Sequence, residues 1–159
     1  MGARRARNVD NNNIAIAFGT FDILHPGHIK YLSNAAKHGK LTVVIARDES
    51  VNRIKGVAPI MDERSRKVIV GSLKFVHKAI LGNRTISKNG MYRVLKKIRP
   101  NTVVLGYDQK IDENAIQNFA SANKLEFRLI RLKPYMKERF KSSKFKQIAS
   151  DRIRHKDGN

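Results

Sequence analysis

The sequence predicts a doubly wound α/β fold, in which a parallel sheet of about five strands carries helices on both faces. Three observations lead to this prediction. The chain has 159 residues, a length typical of one domain with its own core. Its apolar segments are short, rich in β-branched residues and continuous rather than alternating, as in strands buried on both faces. Helix-length stretches separate these segments, and such alternation is typical of right-handed crossovers in a parallel sheet.

The predicted elements can be placed in order along the chain. The apolar segments predict strands at residues 14–18, 41–46, 75–81, 102–105 and 126–130. The stretches between them predict helices at residues 27–38, 62–73, 87–98 and 112–123. The last three helices begin at residues of the kind that cap helix N-termini, namely Asp62, Ser87 and Asp112.

The two ends of the chain are both basic. Residues 1–13 are rich in Arg and Asn, so they are predicted to form a disordered basic tail. Residues 14–159 are predicted to form a single domain. Within it, residues 142–155 carry apolar side chains at helical spacing, which predicts a basic amphipathic helix.

The charge is strongly unbalanced, because 33 Lys and Arg residues stand against 13 Asp and Glu residues, for a formal net charge of +20. Such a surface attracts polyanions, and nucleoside triphosphates, nucleic acids and anionic membranes all qualify. Aromatic residues make up only 7 % of the chain and Trp is absent, so stacking platforms for nucleic acid are scarce. Nucleic acid binding is therefore disfavoured as the main function.

The residue types that the chain lacks exclude several classes of site. Cysteine is absent, which rules out a disulfide framework, a thiolate zinc site and a cysteine nucleophile. No segment approaches the roughly 18 to 20 continuous apolar residues of a membrane span, and residues 1–13 do not have the apolar centre of a signal peptide. We therefore expect a cytoplasmic protein without a membrane partner.

The most informative segment is GTFDILHPGH, residues 19–28, which follows the first predicted strand directly. Gly19 lets the backbone approach a ligand closely, and Pro26 fits the first turn of a helix, where its absent N–H would have had no partner. His25 and His28 lie three residues apart at that helix start, so both imidazoles can reach one anion beside unpaired backbone N–H groups. This arrangement suits a phosphate, although two histidines near a loop can also be surface residues or helix caps.

With a strand before it and a helix after it, this segment resembles the signature of the nucleotidylyltransferase superfamily, whose core is His-x-Gly-His. In that superfamily the two histidines stabilise the charge that builds on the α-phosphate and on the leaving pyrophosphate. The resemblance gives His25 and His28 these catalytic roles. It also implies a set of nucleotide-binding residues, which consists of Thr20, Phe21, His25, Pro26, Gly27 and His28.

Further segments resemble archaeal FAD synthases, which are related to glycerol-3-phosphate cytidylyltransferases. The most specific is LGYDQ, residues 105–109, and others are VIARDE at residues 44–49 and AILG at residues 79–82. The resemblance implies transfer of AMP from ATP to riboflavin 5′-phosphate (FMN), which gives FAD and pyrophosphate, with Mg2+ or another divalent metal as cofactor. It also implies a homodimer. The alternative is a cytidylyltransferase that uses CTP and a small phosphorylated alcohol such as glycerol 3-phosphate.

The resemblance extends the nucleotide site to residues outside the first motif. Asp108 lies in LGYDQ, and Arg66 falls at a position where relatives often carry a basic phosphate ligand. Tyr135 precedes Ser142 and Ser143, which match hydroxyl residues that hold a triphosphate in the family. Asp108 can also be a turn residue, and Ser142 can cap the last helix. No local motif identifies the binding site of the acceptor.

Overall fold

Strands and helices alternate throughout the part of the chain that the computed structural model describes, which is residues 12–83, 88–136, 144–148 and 151. The strands are β1 (Ile14–Gly19), β2 (Lys40–Ile45), β3 (Lys78–Leu81), β4 (Thr102–Leu105) and β5 (Arg128–Arg131). The helices are α1 (Pro26–Ala35), α2 (Asp48–Lys55), α3 (Glu63–Gly71), α4 (Lys88–Ile98) and α5 (Glu113–Ala122). A 3-10 turn, Ala36–His38, continues α1. None of the described helices is long and apolar enough to cross a membrane.

The five strands form one parallel sheet in the order β3-β2-β1-β4-β5. Buried residues form two clusters, one on each face, because neighbouring residues of a strand point to opposite faces. Leu32 of α1 and Val70 of α3 belong to the first cluster, whereas Leu95 of α4 and Ile116 of α5 belong to the second. The predicted doubly wound, Rossmann-like sheet with helices on both faces is therefore confirmed.

The strand order reverses between β1 and β4, which are neighbours in the sheet but not in the chain. In open α/β sheets, ligands bind at the carboxyl ends of the strands that flank such a reversal. Residues 20–28 follow β1 and residues 106–109 follow β4. Both motifs singled out in the sequence therefore border the same crevice.

Helix α2 is not predicted by the sequence patterns. Its residues are mostly polar and Val51 is its one buried residue, so no apolar stripe marks the helix. The signals that could have revealed it are Asp48 and Glu49 in its first turn and Gly56 after its end. Gly56 has a φ of 70°, the left-handed conformation that ends many helices.

Strand β3 begins at Lys78 rather than at residue 75, where the apolar segment starts. Val76 lies instead in a turn, in which its N–H donates to the carbonyl of Leu73 at 2.8 Å. Phe75 and Val76 pack against the core from that turn. The apolar residues of this segment are therefore only partly buried, and only its second half is a strand.

The helix caps predicted at Asp62 and Asp112 are confirmed, because both side chains accept hydrogen bonds from backbone N–H groups of the following turn. Ser87, residues 1–11 of the predicted tail and most of the predicted C-terminal helix lie outside the described residues. Within that predicted helix, residues 144–148 are helical.

Candidate active site

The loop after β1 is shaped by Phe21, which has a positive φ of 53°. This left-handed conformation folds the ring back over Gly19, where a Cβ atom would lie 2.5 Å from the ring. Phe21 is only 3 % exposed, and its ring contacts that of His28 edge-on, with centroids 5.3 Å apart. The ring is therefore buried and supports His28 from the core side, and the contact of Phe21 with the nucleotide stays a prediction.

His25 and His28 lie at the N-terminus of α1. His25 is the N-cap, and its Nδ1 accepts a hydrogen bond from the backbone N–H of His28 at 3.3 Å. Pro26 and Gly27 are the first two helical residues, and Pro26 has no N–H that needs a partner. The two imidazole rings stack with centroids 3.7 Å apart and 19° between their planes. Because Nδ1 of His25 is an acceptor, the neutral ring carries its proton on Nε2, a hydrogen-bond donor.

Burial keeps both imidazoles neutral near pH 7. Burial is the largest cause of the shift in His28, whose pKa is lowered to about 4. The charges of His25 and Lys55 lower the pKa further, and a hydrogen bond to the backbone of Ile23 raises it only in part. Burial is also the largest cause that lowers the pKa of His25, where Asp108 acts in the opposite direction. Nδ1 of His28 is buried and makes no hydrogen bond to the described residues.

The lowered pKa of His28 predicts that stability depends on pH. The imidazole takes up a proton near pH 6.5 in the unfolded chain but only near pH 4 in the folded chain, so the unfolded state binds more protons between these values. Stability is therefore full above pH 6.5 and falls as the pH decreases towards 4, by up to about 3 kcal/mol. Urea unfolding of the wild type and of His28→Asn across this range is the measurement. The wild type should lose more stability, and equal losses would contradict the low pKa.

Arg66 lies beneath the loop after β1 and is 0 % exposed. Its guanidinium group donates to the backbone carbonyls of Thr20, Ala46 and Met61. It also pairs with the carboxylate of Asp48 at 2.5 Å. The three carbonyls lie after β1, after β2 and before α3, so one side chain fixes three segments at the carboxyl edge of the sheet. The donors of Arg66 therefore face protein acceptors, and its predicted contact with the nucleotide stays a prediction.

Two carboxylates join α2 to α3 reciprocally. Asp48 accepts from the N–H of Glu63, and Glu63 accepts from the N–H of Asp48, both at 3.0 Å. Arg47 pairs with Glu63 at 2.5 Å and donates to the carbonyl of Gly82, after β3, at 2.8 Å. Burial alone would raise the pKa of Glu63, but Arg47 and the backbone hydrogen bond lower it below its usual value. Together with Arg66, this network ties the loops that follow β1, β2 and β3.

Asp22 is a buried carboxylate to which the sequence patterns assign no role, although it lies inside the first motif. It is 4 % exposed. Its oxygens accept from the N–H groups of Ile60 and Met61 at 3.0 and 2.9 Å, and one of them lies 2.5 Å from Nζ of Lys146. Burial alone would raise the pKa of Asp22, but Lys146 and the two backbone hydrogen bonds lower it below its usual value. Asp22 therefore stays ionised and joins three separate segments.

Residues 144–148 place two side chains against the first motif. Lys146 pairs with Asp22, and the ring of Phe145 contacts that of His25 with centroids 5.8 Å apart. Both contacts join residues that are far apart in the chain, so no local pattern indicates them. These two contacts hold residues 144–148 beside the imidazole rings of His25 and His28.

Lys146→Met is expected to detach residues 144–148 from Asp22, because the buried carboxylate loses its counter-ion. The chain contains no tryptophan, so Phe145→Trp introduces a single tryptophan at the contact with His25. Its emission should shift to longer wavelength when Lys146→Met is added, since the ring then enters water. Lys96→Met, which removes the same charge from an exposed position on α4, is the control and should leave the emission unchanged. An emission wavelength that Lys146→Met leaves unchanged would show that the pair of Lys146 and Asp22 does not hold residues 144–148 in place.

Gln109 connects the two motifs across the crevice. Its side-chain amide donates to the carbonyl of Phe18 in β1 at 2.5 Å and accepts from the N–H of Gly106 at 3.1 Å. Tyr31 of α1 donates its hydroxyl to the carbonyl of Val104 in β4 at 2.9 Å. Burial raises the pKa of the Tyr31 phenol, so it remains a donor at neutral pH. The loop after β4 and the start of α1 are thus held in fixed positions.

Thr20 and Asp108 flank the crevice from its two sides. The Thr20 hydroxyl is 3.5 Å from Nζ of Lys55, the last residue of α2. The Asp108 carboxylate is exposed after β4, and its charge acts on the imidazole of His25. These positions suit the nucleotide contacts that the resemblance implies, which stay predictions.

Tyr135 lies beyond β5, with its ring centre 5.9 Å from the ammonium group of Lys30 on α1. It shares a surface cavity with His25. The predicted triphosphate residues Ser142 and Ser143 lie outside the described residues.

Comparisons with known proteins agree on one family. The family model described as cytidylyltransferase-like matches residues 16–155. A protein from Aciduliprofundum boonei named FAD synthase is 46 % identical over 121 residues, which cover 76 % of this chain and 78 % of that protein. One of the same name from Methanopyrus kandleri is 41 % identical over 124 residues, with 76 % and 79 % covered. A crystal structure from Thermoplasma volcanium is described as that of a lipopolysaccharide core biosynthesis protein. Its sequence is 40 % identical and its TM-score is 0.70, and the match covers 77 % of this chain and 98 % of the Thermoplasma chain. The chain therefore belongs to the cytidylyltransferase-like family and, within it, to the FAD synthases.

Proposed function

We propose that the chain transfers AMP from ATP to FMN and forms FAD and pyrophosphate. The observation that carries this proposal is the stacked pair of His25 and His28 at the N-terminus of α1, where the strand order reverses. A helix N-terminus with two imidazole donors suits a chain of phosphates. The relatives named FAD synthase, at 46 % and 41 % identity, favour ATP as the nucleotide and FMN as the acceptor.

The reaction needs no activated side-chain nucleophile, because the phosphate of FMN is already ionised at neutral pH. One of its oxygens attacks the α-phosphorus of ATP in line with the bond to the β-phosphate. The new P–O bond forms as the old one breaks, and pyrophosphate leaves with the electron pair. The chain contributes by positioning both substrates and by neutralising the charge that develops on the phosphates.

His25 and His28 are the catalytic residues of this mechanism. They donate hydrogen bonds to oxygens of the α-phosphate and of the leaving pyrophosphate, where negative charge grows in the transition state. Because burial keeps both rings neutral before the nucleotide binds, the two stacked imidazoles do not repel each other. The triphosphate then favours their protonated forms, so nucleotide binding is coupled to proton uptake.

The nucleotide site combines residues from both sides of the crevice. Gly27 offers a backbone N–H at the start of α1, whereas Pro26 contributes only shape. Thr20 and the neighbouring Lys55 bring a hydroxyl and a positive charge. Asp108 is positioned to accept hydrogen bonds from ribose hydroxyls or from a base.

We also propose that Mg2+ or another divalent metal accompanies the nucleotide. No three His, Cys, Asp or Glu side chains within the described ranges are grouped so as to hold an ion. Triphosphate oxygens and water would therefore be the main ligands, as is usual for Mg2+ bound with a nucleotide. Asp108, an exposed carboxylate beside the crevice, offers one oxygen donor from the chain. The bound metal would neutralise phosphate charge.

The homodimer that the resemblance implies is likewise a proposal. Sedimentation velocity of the purified protein measures it directly. A species of twice the chain mass of 18.1 kDa would support the dimer, and a species of that single mass would contradict it.

The function is tested by offering each nucleotide with each acceptor. The purified chain is incubated with Mg2+ and either FMN or glycerol 3-phosphate, with ATP and CTP supplied separately, and the products are separated by chromatography. We expect FAD and equimolar pyrophosphate from ATP and FMN, formed faster than any flavin dinucleotide from CTP. The alternative to this function is a cytidylyltransferase that uses CTP with a small phosphorylated alcohol. Product from that pair alone would overturn the proposal and support the alternative.

A further inference from the structure

A surface cavity of about 450 Å³ opens beside the imidazole pair, along one face of α1. We call it the α1 cavity. Its walls include Leu24, Pro26 and Ile29, together with His25, Lys30 and Tyr135. Its size falls within the range of pockets that bind small molecules.

The lining of the α1 cavity suits a flat, weakly polar ring. Three of the side chains named above are apolar, and none of the residues that line the cavity is acidic. Tyr135 is 43 % exposed and contributes an aromatic ring, and the ammonium group of Lys30 lies 5.9 Å from the centre of that ring. Apolar and aromatic walls with a few polar groups are typical of sites for aromatic ligands.

His25 joins the α1 cavity to the reacting phosphates, because it lines the cavity and also stacks on His28. Lys30 lies five residues further along α1, which corresponds to about 7.5 Å along the helix axis at about 1.5 Å per residue. The five-carbon ribityl chain of FMN can span a separation of this order. An FMN phosphate at the His25 end therefore brings the flavin ring to the Tyr135 end.

We infer that the α1 cavity binds the isoalloxazine ring of FMN, with the ring of Tyr135 as its stacking partner. The inference rests on the proposed function and places the acceptor that this function requires. It reassigns Tyr135 from the nucleotide to the acceptor. The competing occupant is the adenine of ATP, which is also flat and aromatic, so the experiment must separate the two ligands.

The test compares Tyr135→Ser with Tyr135→Phe, which keeps the aromatic ring. The affinity for FMN is measured by titration calorimetry without nucleotide, and quenching of flavin fluorescence reports stacking. Tyr135→Ser is expected to bind FMN about tenfold more weakly, since it loses one aromatic contact, whereas Tyr135→Phe should bind FMN and quench its fluorescence as the wild type does. In steady-state kinetics Tyr135→Ser should raise KM for FMN by a similar factor and leave KM for ATP unchanged. Circular dichroism should be unaltered, because the side chain is exposed.

The outcomes separate the flavin site from the proposed function. Unchanged FMN affinity in Tyr135→Ser would overturn the inference, and so would a rise in KM for ATP alone, which would place adenine in the α1 cavity. If the wild type forms FAD while Tyr135→Ser binds FMN normally, the cavity assignment fails and the function stands. If FMN binding depends on Tyr135 but no FAD forms, the flavin site is supported and the proposed function fails.

Discussion

His28→Ala is expected to lower kcat for FAD formation by about a hundredfold to a thousandfold, the usual effect of removing one donor that stabilises transition-state charge. The loss should fall on kcat more than on KM for ATP, because the charge on the leaving pyrophosphate grows only as the bond breaks. His28 packs against Phe21 and His25 at the rim of the core, so the fold should survive the change. Initial rates of FAD formation over a range of ATP concentrations give both constants.

His77→Ala is the matched control, because it removes an exposed histidine in the turn before β3. It should leave kcat near the wild-type value. Circular dichroism of both variants checks that the fold is intact. A kcat for His28→Ala close to that of the wild type would exclude His28 as a catalytic residue.

Arg66→Met is expected to lower the free energy of unfolding by more than about 2 kcal/mol, because a buried charged group loses three hydrogen bonds to carbonyls, whereas the ion pair with the partly exposed Asp48 contributes less. The substitution removes the Arg66 donor from the carbonyls of Thr20, Ala46 and Met61 and removes the ion-pair partner of Asp48. Methionine keeps an unbranched apolar stem of similar length, so the loss reports polar contacts more than lost volume. Urea denaturation of the purified variant is the measurement.

Arg64→Met provides the control, since Arg64 is an exposed arginine on the same helix, and its effect should stay below about 0.5 kcal/mol. If Arg66→Met does not fold, Arg66→Lys carries the test, because it keeps the charge but loses the planar set of donors. It should be destabilised by an intermediate amount. A stability of either Arg66 variant equal to that of Arg64→Met would contradict the buried network.

The alternation of strands and helices is visible in the sequence because strands buried on both faces are continuous apolar segments, as at residues 41–46. Helix α2 cannot be predicted in this way, because it buries only Val51 and so has no apolar stripe. The start of β3 is misplaced for a related reason. Phe75 and Val76 are apolar because they pack in a turn, and apolar character alone does not separate a packed turn from a strand.

The imidazole pair can be predicted from the sequence because its geometry is local. His25 and His28 owe their positions to the end of β1 and the start of α1, which lie within ten residues of each other in the chain. The burial of Phe21 and Arg66 is not visible in the sequence, because a motif gives a residue's position in the chain and not its exposure to solvent. The pairing of Asp22 with Lys146 depends on tertiary folding and has no local signal.

The claim that the chain only positions its substrates and neutralises charge is tested most directly by the stereochemical course at the α-phosphorus. FAD is made from FMN and one diastereomer of an ATP that carries sulfur in place of an α-phosphate oxygen, and the configuration of the product is determined by phosphorus NMR. Direct attack by the FMN phosphate is a single displacement, so inversion is predicted. Retention would reveal two displacements through a nucleotidylated side chain and would contradict the mechanism.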